Sequence, residues 1–299
     1  MKIWAKRWPS RMIWVTPPLA MPVKTRLMRR CSLTAGSIIM PKPSRILTQI
    51  EAKYAKFDGL NLSWETLEGI AKHNGPVTNP PRALANYVVR HDLELNTYAG
   101  PEAQVAAYAD DIAYNNHDME DGLRAEMFTL DELAELPLLG DLVAQVRGEY
   151  GELSHRRASH EVIRRMINRM VTDLIDQSKQ NISDLRIASA ADVRAACKPL
   201  VHFSAEMESV HRAIKSFLMQ RMYRHFRVNR MTSKARRVVS ELFAFFIAEP
   251  ECLPNHWQKA LRDGDTQHNA EMIGDFIAGM TDRFAIEEHQ RIFDVSLRT

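Results

Sequence analysis

Cysteine is scarce in this 299-residue chain, with three in all, Cys31, Cys197 and Cys252, widely scattered and without a CxxC pair. That spacing argues against a disulfide framework or a zinc ribbon and fits a reducing setting. Glycine is sparse too, twelve in all, and neither GxxxxGK[ST] nor GxGxxG occurs, so a glycine-loop phosphate cradle is not encoded in recognisable form. HExxH, GxSxG and the EF-hand pattern are missing as well. No apolar run reaches the roughly 18 residues that would span a bilayer. Strand-like alternation is rare, and no internal repeat stands out.

Acidic residues are missing from one region altogether. Residues 1–50 hold ten Lys or Arg and no Asp or Glu, and the first acid is Glu51. The same block carries Trp4, Trp8, Trp14 and a proline-rich run, and it shows neither helical nor strand period. Three readings are open: a basic arm for nucleic acid, a targeting segment, or a stretch never shaped by selection for a fold. Beyond residue 50 the balance reverses to 30 bases against 37 acids.

What is present is helical periodicity, nearly throughout from Ser44. Ile46, Ile50, Tyr54 and Phe57 mark a first helix ending at Asp58-Gly59. Ser63 is placed to cap a second, and Pro80-Pro81 to open a third. Thr129-Leu-Asp-Glu reads as a capping box. Long helices are expected over 159–177, with Val162, Ile163, Met166, Ile167, Met170, Val171 and Leu174 inward, and over 204–224, 233–248 and 268–283. The expected architecture is all-α: a helical bundle over 44–150, a helical C-terminal extension over 151–299, and an aberrant or disordered segment 1–43.

The most informative stretch is Ala109 to Arg124, ADDIAYNNHDMEDGLR. It sets Asp110, Tyr114, His117, Asp118 and Asp121 at intervals of three and four, one polar ridge on a helix. Val105, Ala109, Ile112 and Ala113 supply an apolar side. Such a ridge suits a solvated helix face, or a divalent metal and a sugar-phosphate ligand. Carboxylates at i and i+8 lie about 12 Å apart, too far to share one ion. A metal at Asp110 therefore needs ligands from elsewhere. His155 and His160 point to different helix faces, and His73 can satisfy carbonyls at a helix end. The run Arg221 to Arg237 mixes bases with Tyr223 and Phe226 and suits either phosphate contact or a solvated helix end, so a basic nucleic-acid-binding protein is a weaker third option.

PEAQVAAYADDIAYNNHDMEDGLRA resembles the bacterial dGTP triphosphohydrolase-like branch of the HD-domain phosphohydrolases. FDGLNLSWETLEGIAKHNGP (57–76) and IGDFIAGMTDRFAIEEHQRIF (273–293) are similar to segments that family carries before and after it, in this order. The resemblance runs from about Ser44 to the end. It implies an all-α HD-like fold and metal-dependent hydrolysis of a deoxynucleoside triphosphate to deoxynucleoside and tripolyphosphate. It implies Asp110 as a ligand of a divalent metal (Mg, Mn or Co), Tyr114 stacked on the deoxyribose, and Asp118 receiving its 3′-hydroxyl. It further implies a cytoplasmic homo-oligomer with no membrane association, with nucleic acid as a candidate regulator.

The chain departs from the family where the metal should be held. A His-Asp doublet belongs upstream of Phe57, yet no histidine precedes His73 and no aspartate precedes Asp58. Reading each codon from the third base of one written codon and the first two of the next forces Asp from Met12-Ile13, Gly from Trp14-Val15 and Ala from Met21-Pro22. With permitted codons Arg11 to Lys24 rereads as HDLGHPPFGHAGE, the family's metal-binding motif. Residues 1 to about 43 are therefore expected to be an out-of-frame translation. On that expectation the chain is a catalytically defective member that retains nucleotide binding or assembly.

Overall fold

Local capping chemistry sets where the helices begin. In the computed structural model, which describes residues 46–51 and 53–296, Ser63 accepts a hydrogen bond from Thr66 N at 3.4 Å and starts α1 (Trp64–Ala71). Arg82 to Val88 form α2. Pro101 stands in the first turn of α3 (Pro101–Arg124), where a missing N–H costs nothing. The Thr129/Glu132 capping box forms as expected, with Thr129 N to Glu132 Oε2 at 2.7 Å, and opens α4 (Leu130–Ala134). Then follow α5 (Leu139–Tyr150), α6 (His155–Leu185), α7 (Ala190–Ala195) and α8 (Ala205–Leu218), which runs on as a π-turn, Met219–Tyr223. The remaining helices are α9 (Phe226–Ala248), the single turn α10 (Asn255–Gln258), α11 (Thr266–Ala278) and α12 (Asp282–Phe293). The protein is all-α: among the described residues the only strand-like feature is an isolated bridge between Tyr54 and Phe57.

The first expected helix is shorter than its pattern. Only Ile46–Ile50 is helical, as a π-turn, while Tyr54 and Phe57 leave the helix and stack on each other at 4.7 Å. The segment 1–43, expected to be out of frame, lies outside the described residues.

The described residues divide into two units, one ending at His225 and the other beginning at Phe226. The boundary expected at 150/151 falls inside the first unit, because α6 packs on both α3 and α5. In that unit Val162, Ile163, Met166, Met170 and Leu174 of α6 are buried with Met119 and Leu123 of α3 and Ile214 and Leu218 of α8. Each such side chain contributes about 1.5–3 kcal/mol relative to exposure. Val171, expected inward, is exposed. Gly122 on α3 faces the Phe128 ring so closely that a Cβ there would overlap it. In the second unit Leu242, Phe243 and Phe246 of α9 pack against Ile273 and Ile277 of α11, with Phe246 edge-on to Phe276 at 5.3 Å. No helix among the described residues is long and apolar enough to cross a membrane.

Candidate functional site

The polar ridge does lie on one helix, α3, but it does not stay in one environment. Asp110 is 52% exposed, Tyr114 is 46% exposed, and Asp118 is only 7% exposed, with Asp121 buried a turn further on. The helix thus carries its carboxylates from solvent into the core within three turns. The apolar side expected to be buried is mostly not the buried one. Val105, Ala109 and Ala113 are exposed, and of that set only Ile112 is inside. In their place α3 buries amides. Gln104 Oε1 accepts from Leu200 N at 2.9 Å and Val201 N at 3.1 Å, and Asn116 Nδ2 donates to Ile112 O at 2.8 Å. Side-chain amides that find partners can occupy a core, and apolarity alone does not identify that face.

Tyr223, at the end of the π-turn, donates its hydroxyl to Asp118 Oδ2. Burial raises the Asp118 carboxyl above its ordinary value, the Tyr223 hydrogen bond works against that, and the neighbouring Asp121 charge adds to it. Burial and the same carboxylate push the Tyr223 hydroxyl upward, so it stays a neutral donor. The remaining oxygen, Asp118 Oδ1, leaves acceptor capacity for a second hydroxyl. Tyr223 had entered the sequence reading only as part of a basic run. Tyr223 is half-buried beside the buried Met222, and its partner Asp118 lies 105 positions away, so no local pattern marks it.

At the exposed end, His73 Nε2 stands 3.9 Å from Asp110 Oδ2. His73 follows α1 directly and faces α3, a placement the helix-end reading missed. These two residues give one carboxylate and one imidazole, short of the three protein ligands that a hydrolytic metal centre uses. Among the described residues no group of three or more His, Cys, Asp or Glu is arranged to hold a metal ion. His160 Nδ1 pairs with Glu120 Oε1 at 3.1 Å, and His155 and His160 line a cavity of about 790 Å³ at the other end of α3 with Arg124, Arg156 and Phe128. The basic run falls on the π-turn and the first half of α9, where the Arg230 guanidinium lies 5.2 Å from the Phe226 ring.

Comparisons with known proteins place this all-α core in a family. Residues 201–291 match the phosphohydrolase-associated domain family. The deoxyguanosinetriphosphate triphosphohydrolase-like protein of Parvibaculum lavamentivorans is 53% identical over 258 residues, covering 84% of this chain and 65% of that protein. Proteins of the same name from Caulobacter sp. (strain K31) and Azorhizobium caulinodans are each 48% identical, covering 85% and 84% of this chain and 66% of each relative. The chain belongs to the deoxyguanosinetriphosphate triphosphohydrolase-like family. It spans just under two thirds of the length of these relatives.

Proposed function

We propose that this chain is a deoxynucleotide-binding member of that family, built for metal-dependent hydrolysis of a deoxynucleoside triphosphate to deoxynucleoside and tripolyphosphate. The observation that carries the reading is the placement of Asp110, Tyr114 and Asp118 on successive turns of one helix, with Asp118 already held by Tyr223. The Tyr114 ring offers a flat apolar surface for a deoxyribose, and a close ring leaves little room for a 2′-hydroxyl. Asp118 Oδ1 accepts the 3′-hydroxyl while Tyr223 fixes the carboxylate's orientation. Asp110 is the metal-side carboxylate. A divalent ion (Mg, Mn or Co) would lower the pKa of a bound water and offset phosphate charge, and it needs ligands beyond Asp110 and His73.

That shortfall supports a second reading for the polypeptide as translated: a catalytically defective member that still binds nucleotide or assembles with like subunits. The sequence contains no His-Asp doublet before Phe57, where the family resemblance requires one. The out-of-frame origin of residues 1–43 accounts for the loss. A cytoplasmic homo-oligomer, with nucleic acid as a candidate regulator, completes the proposal.

Incubation of the purified chain with each dNTP and Mg²⁺, Mn²⁺ or Co²⁺ distinguishes the two. Release of tripolyphosphate, abolished by Asp110→Ala, supports a working hydrolase. Nucleotide binding without turnover supports the defective form, and turnover restored by a one-base change near codon 43 would locate the defect. Neither binding nor turnover in any version would remove both readings.

A further inference from the structure

The first half of α9 carries charge of one sign. Between Glu208 and Glu241 the chain holds nine Lys or Arg and no acid. Arg230, Lys234 and Arg237 stand at intervals of four and three on one exposed face of the helix, with Met231 54% exposed among them. None of the three has a carboxylate partner among the described residues. The Arg230 guanidinium lies 5.2 Å from the Phe226 ring, a contact that leaves its charge uncompensated. Like charges four apart on a helix repel, so this face costs the isolated chain stability.

A surface of the opposite sign lies in the other unit. A groove of about 690 Å³ beside α5, α6 and the start of α8 is lined by Asp141, Asp173, Asp176 and Glu206, against the single cation Arg169 among the described residues. Asp173 is committed to capping α8, accepting from Ser204 N at 2.9 Å and Ser204 Oγ at 2.6 Å. Asp141, Asp176 and Glu206 are exposed and have neither a hydrogen-bond nor an ion-pair partner among the described residues. The dipoles of α5 and α8 favour Asp141 and Glu206 in their first turns, but leave the oxygens unpaired. Asp176, in the middle of α6, has no such support. Pro137 and Leu138 add an apolar wall.

The chain thus exposes three unpaired cations on one surface and three unpaired carboxylates on another. A nucleic acid would use the first and leave the second without a role. A basic ligand would use the groove and leave the α9 face repelling itself. A second copy of this chain uses both.

We propose that the Arg230, Lys234 and Arg237 face of α9 docks in the groove of a neighbouring copy, against Asp141, Asp176 and Glu206, with Met231 toward Pro137 and Leu138. The inference rests on the homo-oligomer reading above and names its interface. Each copy offers both surfaces, so the contact repeats around a ring or is reciprocated across a two-fold axis. Exposed ion pairs set register and partner choice more than affinity, which makes the contact sensitive to salt.

Charge reversal tests it. One variant carries Arg230→Glu, Lys234→Glu and Arg237→Glu, and the other carries Asp141→Lys, Asp176→Lys and Glu206→Lys. In sedimentation velocity the full parent chain should associate at about 0.1 M salt, and about tenfold more weakly at 1 M, where the Debye length is about 3 Å. Each variant alone should be monomeric, because like charges then face each other. Mixed in equal amounts the two should associate again, since each α9 face now meets a groove of opposite sign. A general loss of structure would not be rescued by mixing. A variant that associates as the parent does, or a mixture that stays monomeric, would overturn the inference while the associating parent keeps the homo-oligomer reading. A monomeric parent would overturn both. If that monomer binds a single-stranded oligonucleotide, and the Glu variant does not, the α9 face belongs to nucleic acid instead.

Discussion

The two ends of the α3 ridge hold their carboxylates by opposite means. At the inner end Asp118 is buried, and a phenol hydroxyl bonds it directly. At the outer end Asp110 is open to solvent beside His73, and order comes from behind, through the ion network of Glu68, Lys72 and Arg194. Burial raises the inner carboxyl, so it needs a donor merely to stay charged. The outer carboxylate keeps its hydration and is free to exchange it for a ligand. On the proposed binding mode the buried end would couple binding to stability, while at the open end the stability resides in residues behind the ridge.

The largest effect expected from this contrast lies in the network behind the outer end. Glu68→Gln leaves the buried Lys72 and the partly buried Arg194 without their counter-charge, and unfolding in urea should show a loss of about 3–5 kcal/mol. Burial is the largest influence on the Glu68 carboxyl and raises it, but Arg194 and Lys72 together outweigh it and hold it below its ordinary 4.5. Its contribution is thus present above that value and is lost as pH falls through the lowered one. A Glu68→Gln chain as stable as its parent at neutral pH would mean that the network does not anchor α1.

Next in size is the inner end. Tyr223→Phe removes the donor to a buried carboxylate and should cost about 1–3 kcal/mol. The pH dependence here has the reverse sign to that of Glu68. Because the Asp118 carboxyl is raised in the fold, its protonated form is favoured there. That contribution is complete below its ordinary 3.8 and disappears as pH rises through the raised value. The unfolding free energy of the parent, relative to Asp118→Asn, should therefore fall across that window. A rise would show that hydrogen bonding, not burial, governs the group.

Much of this was legible in the sequence, for identifiable reasons. Caps at Ser63 and Thr129 are local chemistry and formed as read. The α6 stripe from Val162 to Leu174 is periodic and largely buried. The three ridge residues share α3 as their spacing required. What could not be read depends on partners distant in sequence. Gln104 looks like a surface residue until Leu200 N and Val201 N, nearly a hundred positions away, come within reach. Glu68 meets Arg194 across 126 positions, and Asp118 meets Tyr223 across 105. His73 is ambiguous for the same reason: its local sequence suits a helix end, and only the packing of α1 on α3 sets it beside Asp110.

The smallest stability effects belong to the residues that would matter most to a ligand. Asp110→Asn and Tyr114→Ala change side chains about half in solvent, whose contacts the fold does not need, so each should shift the unfolding free energy by no more than about 0.5 kcal/mol. Measured beside Tyr223→Phe, they divide the ridge cleanly. If Tyr114→Ala destabilises as much as Tyr223→Phe, the ring is packed against protein and has no free face for a sugar. If it leaves stability unchanged and abolishes deoxyguanosine binding, the exposed ring serves a ligand. A large aromatic surface left in water on an otherwise well-packed helix then has its explanation in what it binds.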